Sequence, residues 1–103
     1  MIRGATDTHY IDLPVEPSLV SKIVATYTQE GIEKIRRTEA DMTLEDRRVS
    51  WKLKQEETLG LQGDAFATVQ INVLCIDGTR LPTEEHKIYV LDNNYPEVMK
   101  NDE

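Results

Sequence analysis

The sequence predicts an all-β fold: one small antiparallel β-sandwich of Ig-like architecture, with about six or seven strands and no disulfide. Three observations lead there. Between Arg48 and Asp77 two segments alternate apolar and polar side chains with a period of two, the mark of strands buried on one face. Turn signals recur along the rest of the chain at intervals of roughly 8–12 residues. The segment richest in helix formers, Thr38–Arg47, is short and carries no apolar stripe, so a stable helix has nothing to pack with.

Each element follows in order. Thr8–Leu13 sets His9, Ile11 and Leu13 against Tyr10 and Asp12, a short strand closed by Pro14 and Pro17. Ser18-Leu19-Val20 forms a brief turn. Lys22–Gln29 places Ile23, Ala25 and Tyr27 inward and Val24, Thr26 and Thr28 outward. Glu30-Gly31 is a two-residue hairpin signal, with Gly31 supplying positive φ, and Ile32–Arg37 returns as the partner strand. Thr38–Arg47 reads as an irregular connection with at most one helical turn. Val49–Lys54 buries Val49, Trp51 and Leu53, and Glu56–Leu61 makes a single turn. Ala65–Ile76 is the long central strand, with Ala67, Val69, Ile71, Val73 and Cys75 on one face. Asp77-Gly78 is the clearest hairpin turn. Thr79–Leu81 starts the return, Pro82 interrupts it, and Lys87–Leu91 is the last strand. Tyr27, Trp51, Leu53, Val69, Ile71 and Val73 are the expected core.

At 103 residues and 11.8 kDa the chain makes one domain, with a core of roughly 20–25 side chains. A polar arm over about residues 1–8 and a tail over about 93–103 flank it, with Val98 and Met99 as an anchor for the tail. The net charge of −7 repels phosphate backbones and anionic lipid, which argues against nucleic-acid and membrane-surface partners. The basic residues Lys34, Arg36, Arg37, Arg47, Arg48, Lys52 and Lys54 gather in the middle third between two acidic ends. Cys75 is the only cysteine and sits on an apolar strand face, a small buried hydrophobe. No basic segment followed by an apolar run opens the chain, and no apolar stretch is long enough to span a bilayer.

Nothing in the residue pattern marks catalysis. His9 and His86 lack metal-ligand spacing with each other or with Cys75. Glu56-Glu57 and Glu84-Glu85 are adjacent pairs whose side chains point apart. The glycines form no phosphate-binding loop. No catalytic, cofactor or metal-ligating residue is assigned. A deep polar pocket lined by His9 or His86 together with carboxylates would argue otherwise. The domain is expected to work by presenting surfaces and edge strands to partners.

Several segments carry a resemblance: Met1, Arg3, Gly4, Thr6 and Thr8; Thr26-Tyr27-Thr28-Gln29; Lys54-Gln55-Glu56-Glu57-Thr58-Leu59; and Val69–Leu74 leading to Asp77-Gly78. In this order they resemble small proteins from the structural gene regions of tailed phages and prophages of Gram-positive bacteria, mostly Firmicutes. Ala5, Asp7 and Lys54 stand where that family usually has Thr, Pro and Thr, and Ala40–Arg47 has no counterpart. The resemblance implies a virion structural or assembly protein of the neck, tail or baseplate. Its implied partners are other virion proteins and copies of itself, first in the host cytoplasm and then in the particle. A second class, an inhibitor of a host defence or nucleic-acid enzyme, would need dense rows of carboxylates on one face.

Two readings of the Gln55–Leu59 turn remain open. In one, Thr58 and the carboxylates bond nearby backbone and fix the crossover between strands. In the other, Glu56 and Glu57 project as an interface and meet basic residues such as Arg36 and Arg37 of a neighbouring copy.

Overall fold

The structure is a computed structural model and describes residues 1–101. Eight strands form two antiparallel sheets: β1 (Thr8–Asp12), β2 (Val20–Gln29), β3 (Ile32–Thr38), β4 (Thr43–Glu45), β5 (Arg48–Lys52), β6 (Ala65–Cys75), β7 (Arg80–Pro82) and β8 (His86–Val90). One helical turn, α1 (Gln55–Leu59), joins β5 to β6. The smaller sheet runs β1-β5-β4, and the larger runs β3-β2-β6-β7 with β8 also paired to β6. The thinnest dimension is 16 Å, what two sheets stacked about 10 Å apart occupy.

Alternation decides what lies between the sheets. Register pairs Ala25 with Ile71, Tyr27 with Val69 and Ile23 with Val73, so one row of inward side chains crosses the larger sheet. Val49, Trp51 and Leu53 face it from the smaller one. All six expected core residues are buried, with Tyr27 and Val73 wholly inaccessible. Leu13, Leu61 and Val90 complete the same cluster. Cys75 is buried and free. No helix among the described residues is long and apolar enough to cross a membrane.

Two features depart from the expectations, and one between them follows its signal. Thr38–Arg47 is not irregular throughout: a 3-10 turn at Glu39–Asp41 leads into β4, which pairs Glu45 with Arg48 around Asp46-Arg47. Asp46 has φ +55, a left-handed conformation that Asp tolerates and that makes the hairpin possible without glycine. Next, the return after Asp77-Gly78 is interrupted at Pro82 as expected: β7 and β8 are two halves of one edge along β6. Thr83 bridges the gap, its N–H donating to Ile71 O and its Oγ1 accepting Ile71 N–H. The second departure is the polar arm, which is tied down. Ile2 forms a parallel bridge with Leu91, while Leu91 N–H donates to Met1 O and Arg3 N–H to Leu91 O.

The remaining turns match their signals. Glu30 and Gly31 have φ +51 and +74, the two left-handed residues of a tight hairpin. Gly78 has φ +90 and closes the β6–β7 turn, where Asp77 Oδ1 accepts Thr79 N–H. The tail expected over 93–103 runs past residue 101, so its last two residues lie outside the described residues. Val98 is half-buried. Met99 keeps an exposed side chain and anchors through its backbone instead.

Candidate functional site

The Gln55–Leu59 segment is where the chain converges. Glu57 Oε1 accepts the Lys54 N–H at 2.8 Å, satisfying one of the donors that a helix start leaves open. The same oxygen accepts Arg37 Nη2 at 2.5 Å, and that Nη2 also reaches Lys52 O at 3.1 Å. Thr58 is wholly buried; its Oγ1 donates to Ala5 O at 2.9 Å. Gln55 grips the tail twice, donating to Met99 O and accepting Met99 N–H. Leu59 O accepts Arg3 Nη2 at 2.8 Å, and Arg3 Nη1 pairs with Asp92 at 2.7 Å. That bond from Arg3 holds the Asp92 carboxyl below its ordinary value. Just beyond, Gln29 and Gln62 exchange bonds between side chain and backbone, at 2.9 and 2.6 Å.

This clasp takes the turn in three directions. Gln55 holds the C-terminal segment, Glu57 the larger sheet, Thr58 and Leu59 the N-terminal segment. Glu56 alone makes no side-chain contact of this kind among the described residues and is exposed.

The pairing imagined between neighbouring copies is therefore made inside one chain. Arg37 is buried, bonded to Glu57 and 3.9 Å from Asp41, so Arg37 and Glu57 do not project. The reason lies in β3, where Arg37 pairs in register with Ala25 on the inward face and its long side chain runs toward the other sheet. Arg36, on the outward face, is exposed and pairs with Glu33 at 2.9 Å. Of the four candidate interface residues, Glu56 and Arg36 remain on the surface, and the structure does not bring them together.

A second cluster ties the sheets at their centre. Trp51 Nε1 donates to Tyr27 Oη at 2.8 Å. The same hydroxyl shares a hydrogen bond with His9 Nδ1, 2.5 Å away. With the His9 proton on Nε2 the hydroxyl donates this bond, and with it on Nδ1 the ring donates. Burial lowers the His9 pKa, against the opposing pull of Asp7, and the neutral ring suits this bond. Burial also pushes the Tyr27 hydroxyl up to about 12. The alternation of β1 places His9 on the inward face; its bond to Tyr27 had no signal in the sequence.

Two clefts bear on chemistry. One of about 360 Å³ opens between the edges of β1 and β8, lined by His9 and His86 over Val69, Ile71 and Ile88. No carboxylate lines it, so it lacks the acid–base partners a catalytic histidine would use. The other, of about 420 Å³, lies where β4 ends beside β5 and is polar. Among the described residues no group of three His, Cys, Asp or Glu side chains is placed to hold a metal ion.

Fold and clasp together define a small two-sheet β-sandwich in which Arg3, Ala5 and Met99 are bonded to one helical turn. No protein-family model, curated protein or solved structure matches the chain.

Proposed function

We propose that this chain is a non-enzymatic virion structural or assembly protein of a tailed phage or prophage, a neck, tail or baseplate component. It acts through contacts with other virion proteins and with copies of itself, first in the host cytoplasm and then in the particle. The observation that carries the reading is spatial. Arg3 and Gly4 at one end of the resemblance and Gln55–Leu59 at its centre meet in one clasp, where a Cβ on Gly4 would sit 3.3 Å from Leu59 Cδ2. Residues so far apart in sequence are then one packed unit, as a shared motif requires.

Surface chemistry supports the same reading. Eleven large hydrophobic side chains are 43–70% exposed, and Phe66 packs edge-on against Tyr89 at 5.0 Å on the outer face of the larger sheet. Such surface is what assembly neighbours cover. The inhibitor reading ranks second, because the middle of that face pairs Thr28 with Thr68 and Thr26 with Gln70, neutral residues where a phosphate mimic needs carboxylates.

The test is to purify particles from a producing strain and analyse them by mass spectrometry, alongside sedimentation of the isolated chain. The chain is expected in the particles and in assemblies larger than a monomer. A monomer absent from particles ends this reading, and co-purification with a host nuclease would put the inhibitor first.

A further inference from the structure

The polar cleft beside β5 gathers groups that the fold leaves unused. β4 stops at Thr43, so the edge of β5 beyond Ser50 is uncovered there. Lys52 and Lys54 line the opening and have no ion-pair partner among the described residues, although acidic residues outnumber basic ones 19 to 12 in the chain. Thr8, Thr43 and Ser50 also line it, and their hydroxyls make no hydrogen bond to the described residues. Register places Thr8 opposite Lys52 and Thr43 opposite Ser50, so these four side chains share one face.

Arg37 enters the cleft from the other sheet. Its side chain is 9% exposed, and its Nε is buried without a partner. A buried donor of this kind is costly to leave unmet. One carboxylate already stands nearby: Asp41 lies 3.9 Å from Arg37 Nη1 with 45% of its side chain exposed, too distant for a strong bond. Three cations thus meet Asp41 and Glu57, leaving the cleft with a net positive charge and unmet donors around one opening.

We propose that this cleft is an oxyanion site that binds a carboxylate, held by Lys52 and Lys54, steadied by the three hydroxyls, and seated beside Arg37, whose contact with Asp41 is long. A single carboxylate carries fewer charges than a phosphate chain, so the acidic remainder of the molecule repels it less. The carboxylate is either free or carried on a peptide side chain.

Trp51 is the only tryptophan and lines the cleft, so its emission reports occupancy. The folded chain is titrated at fixed ionic strength with succinate, with a capped Gly-Glu-Glu-Gly peptide and with inorganic phosphate. Calorimetry runs in parallel in case the emission is silent. Saturable binding of a carboxylate probe is expected, and whichever of the two binds tighter identifies the source. The Lys52→Gln/Lys54→Gln variant should melt like the parent and bind at least about tenfold more weakly. Lys22→Gln/Lys34→Gln, which removes the same charge elsewhere, should bind as the parent does. Phosphate binding as tight as either carboxylate, equal weakening in the two double variants, or no binding by either method at about 10 mM probe would overturn the proposal.

Discussion

Tyr27 is the residue on which the two sheets agree. Its ring fills the core and its hydroxyl joins Trp51 to His9. Trp51→Ala should cost roughly 3–5 kcal/mol by leaving a cavity between the sheets, read as a loss of denaturation free energy; a near-unchanged midpoint would remove Trp51 from the core. Tyr27→Phe keeps the ring and strands the indole N–H and the imidazole, for about 1–3 kcal/mol. The same network makes stability depend on pH. Burial lowers the His9 pKa below its ordinary 6.5 in the folded state, so between the folded value and 6.5 the unfolded chain binds more protons. The His9 contribution is fully present above 6.5 and is lost as pH falls below it toward the folded value. Denaturation midpoints across pH 5–7.5 should therefore drop at the acid end for the parent more than for His9→Gln. At this scale the faces of the strands were legible, because alternation needs only local pattern. The bonds of His9 and the burial of Arg37 were not. Both depend on a partner from the opposite sheet, which no spacing within one strand reveals.

Among the elements, α1 separates the two readings of its carboxylates. Glu57 caps the turn and holds Arg37, so Glu57→Lys places two cations together and should cost roughly 1–3 kcal/mol. Glu56→Lys changes an exposed group and should stay within about 0.5 kcal/mol. If Glu56→Lys folds normally and fails to assemble, Glu56 belongs to an interface; if it assembles, the turn serves the fold alone. Equal destabilisation by both variants would contradict the clasp. The hairpins at Glu30-Gly31 and Asp77-Gly78 were readable because glycine announces positive φ. The β4–β5 hairpin was not, because Asp46 takes that conformation beside Arg47 and a single Asp in a charged segment announces nothing. The divided edge of β7 and β8 followed from Pro82, which cannot donate to a ladder. An edge broken in this way, with Lys87 exposed along it, is a poor template for edge-to-edge pairing between sheets.

Across the whole molecule, segments that polarity alone would leave fraying are bonded to the centre. Arg3 and Leu91 bond the two ends to each other, while Thr58 and Gln55 bond each of them to α1. The amides of Arg3, Leu91 and Met99 should accordingly exchange with solvent far more slowly than amides of unbonded surface segments. Rapid exchange at all three would show that the clasp opens independently of the core. Thr58→Val, which removes the bond to Ala5, should speed exchange at Arg3 before it changes exchange in β6. The sequence pattern placed α1 but not its partners, since a five-residue turn carries no periodicity that points to segments 44 and 53 residues away.

That wiring also orders events in time. Met1–Ala5 leave the ribosome well before Leu59, Leu91 and Asp92, the residues that receive them. At about 5–20 residues per second, the N-terminal segment waits several seconds for its partners, while the β2–β3 hairpin needs only its own two-residue turn. A stretch made early is thus among the late ones to find its place: until Leu91 appears, Arg3 and Ala5 have only α1 to hold.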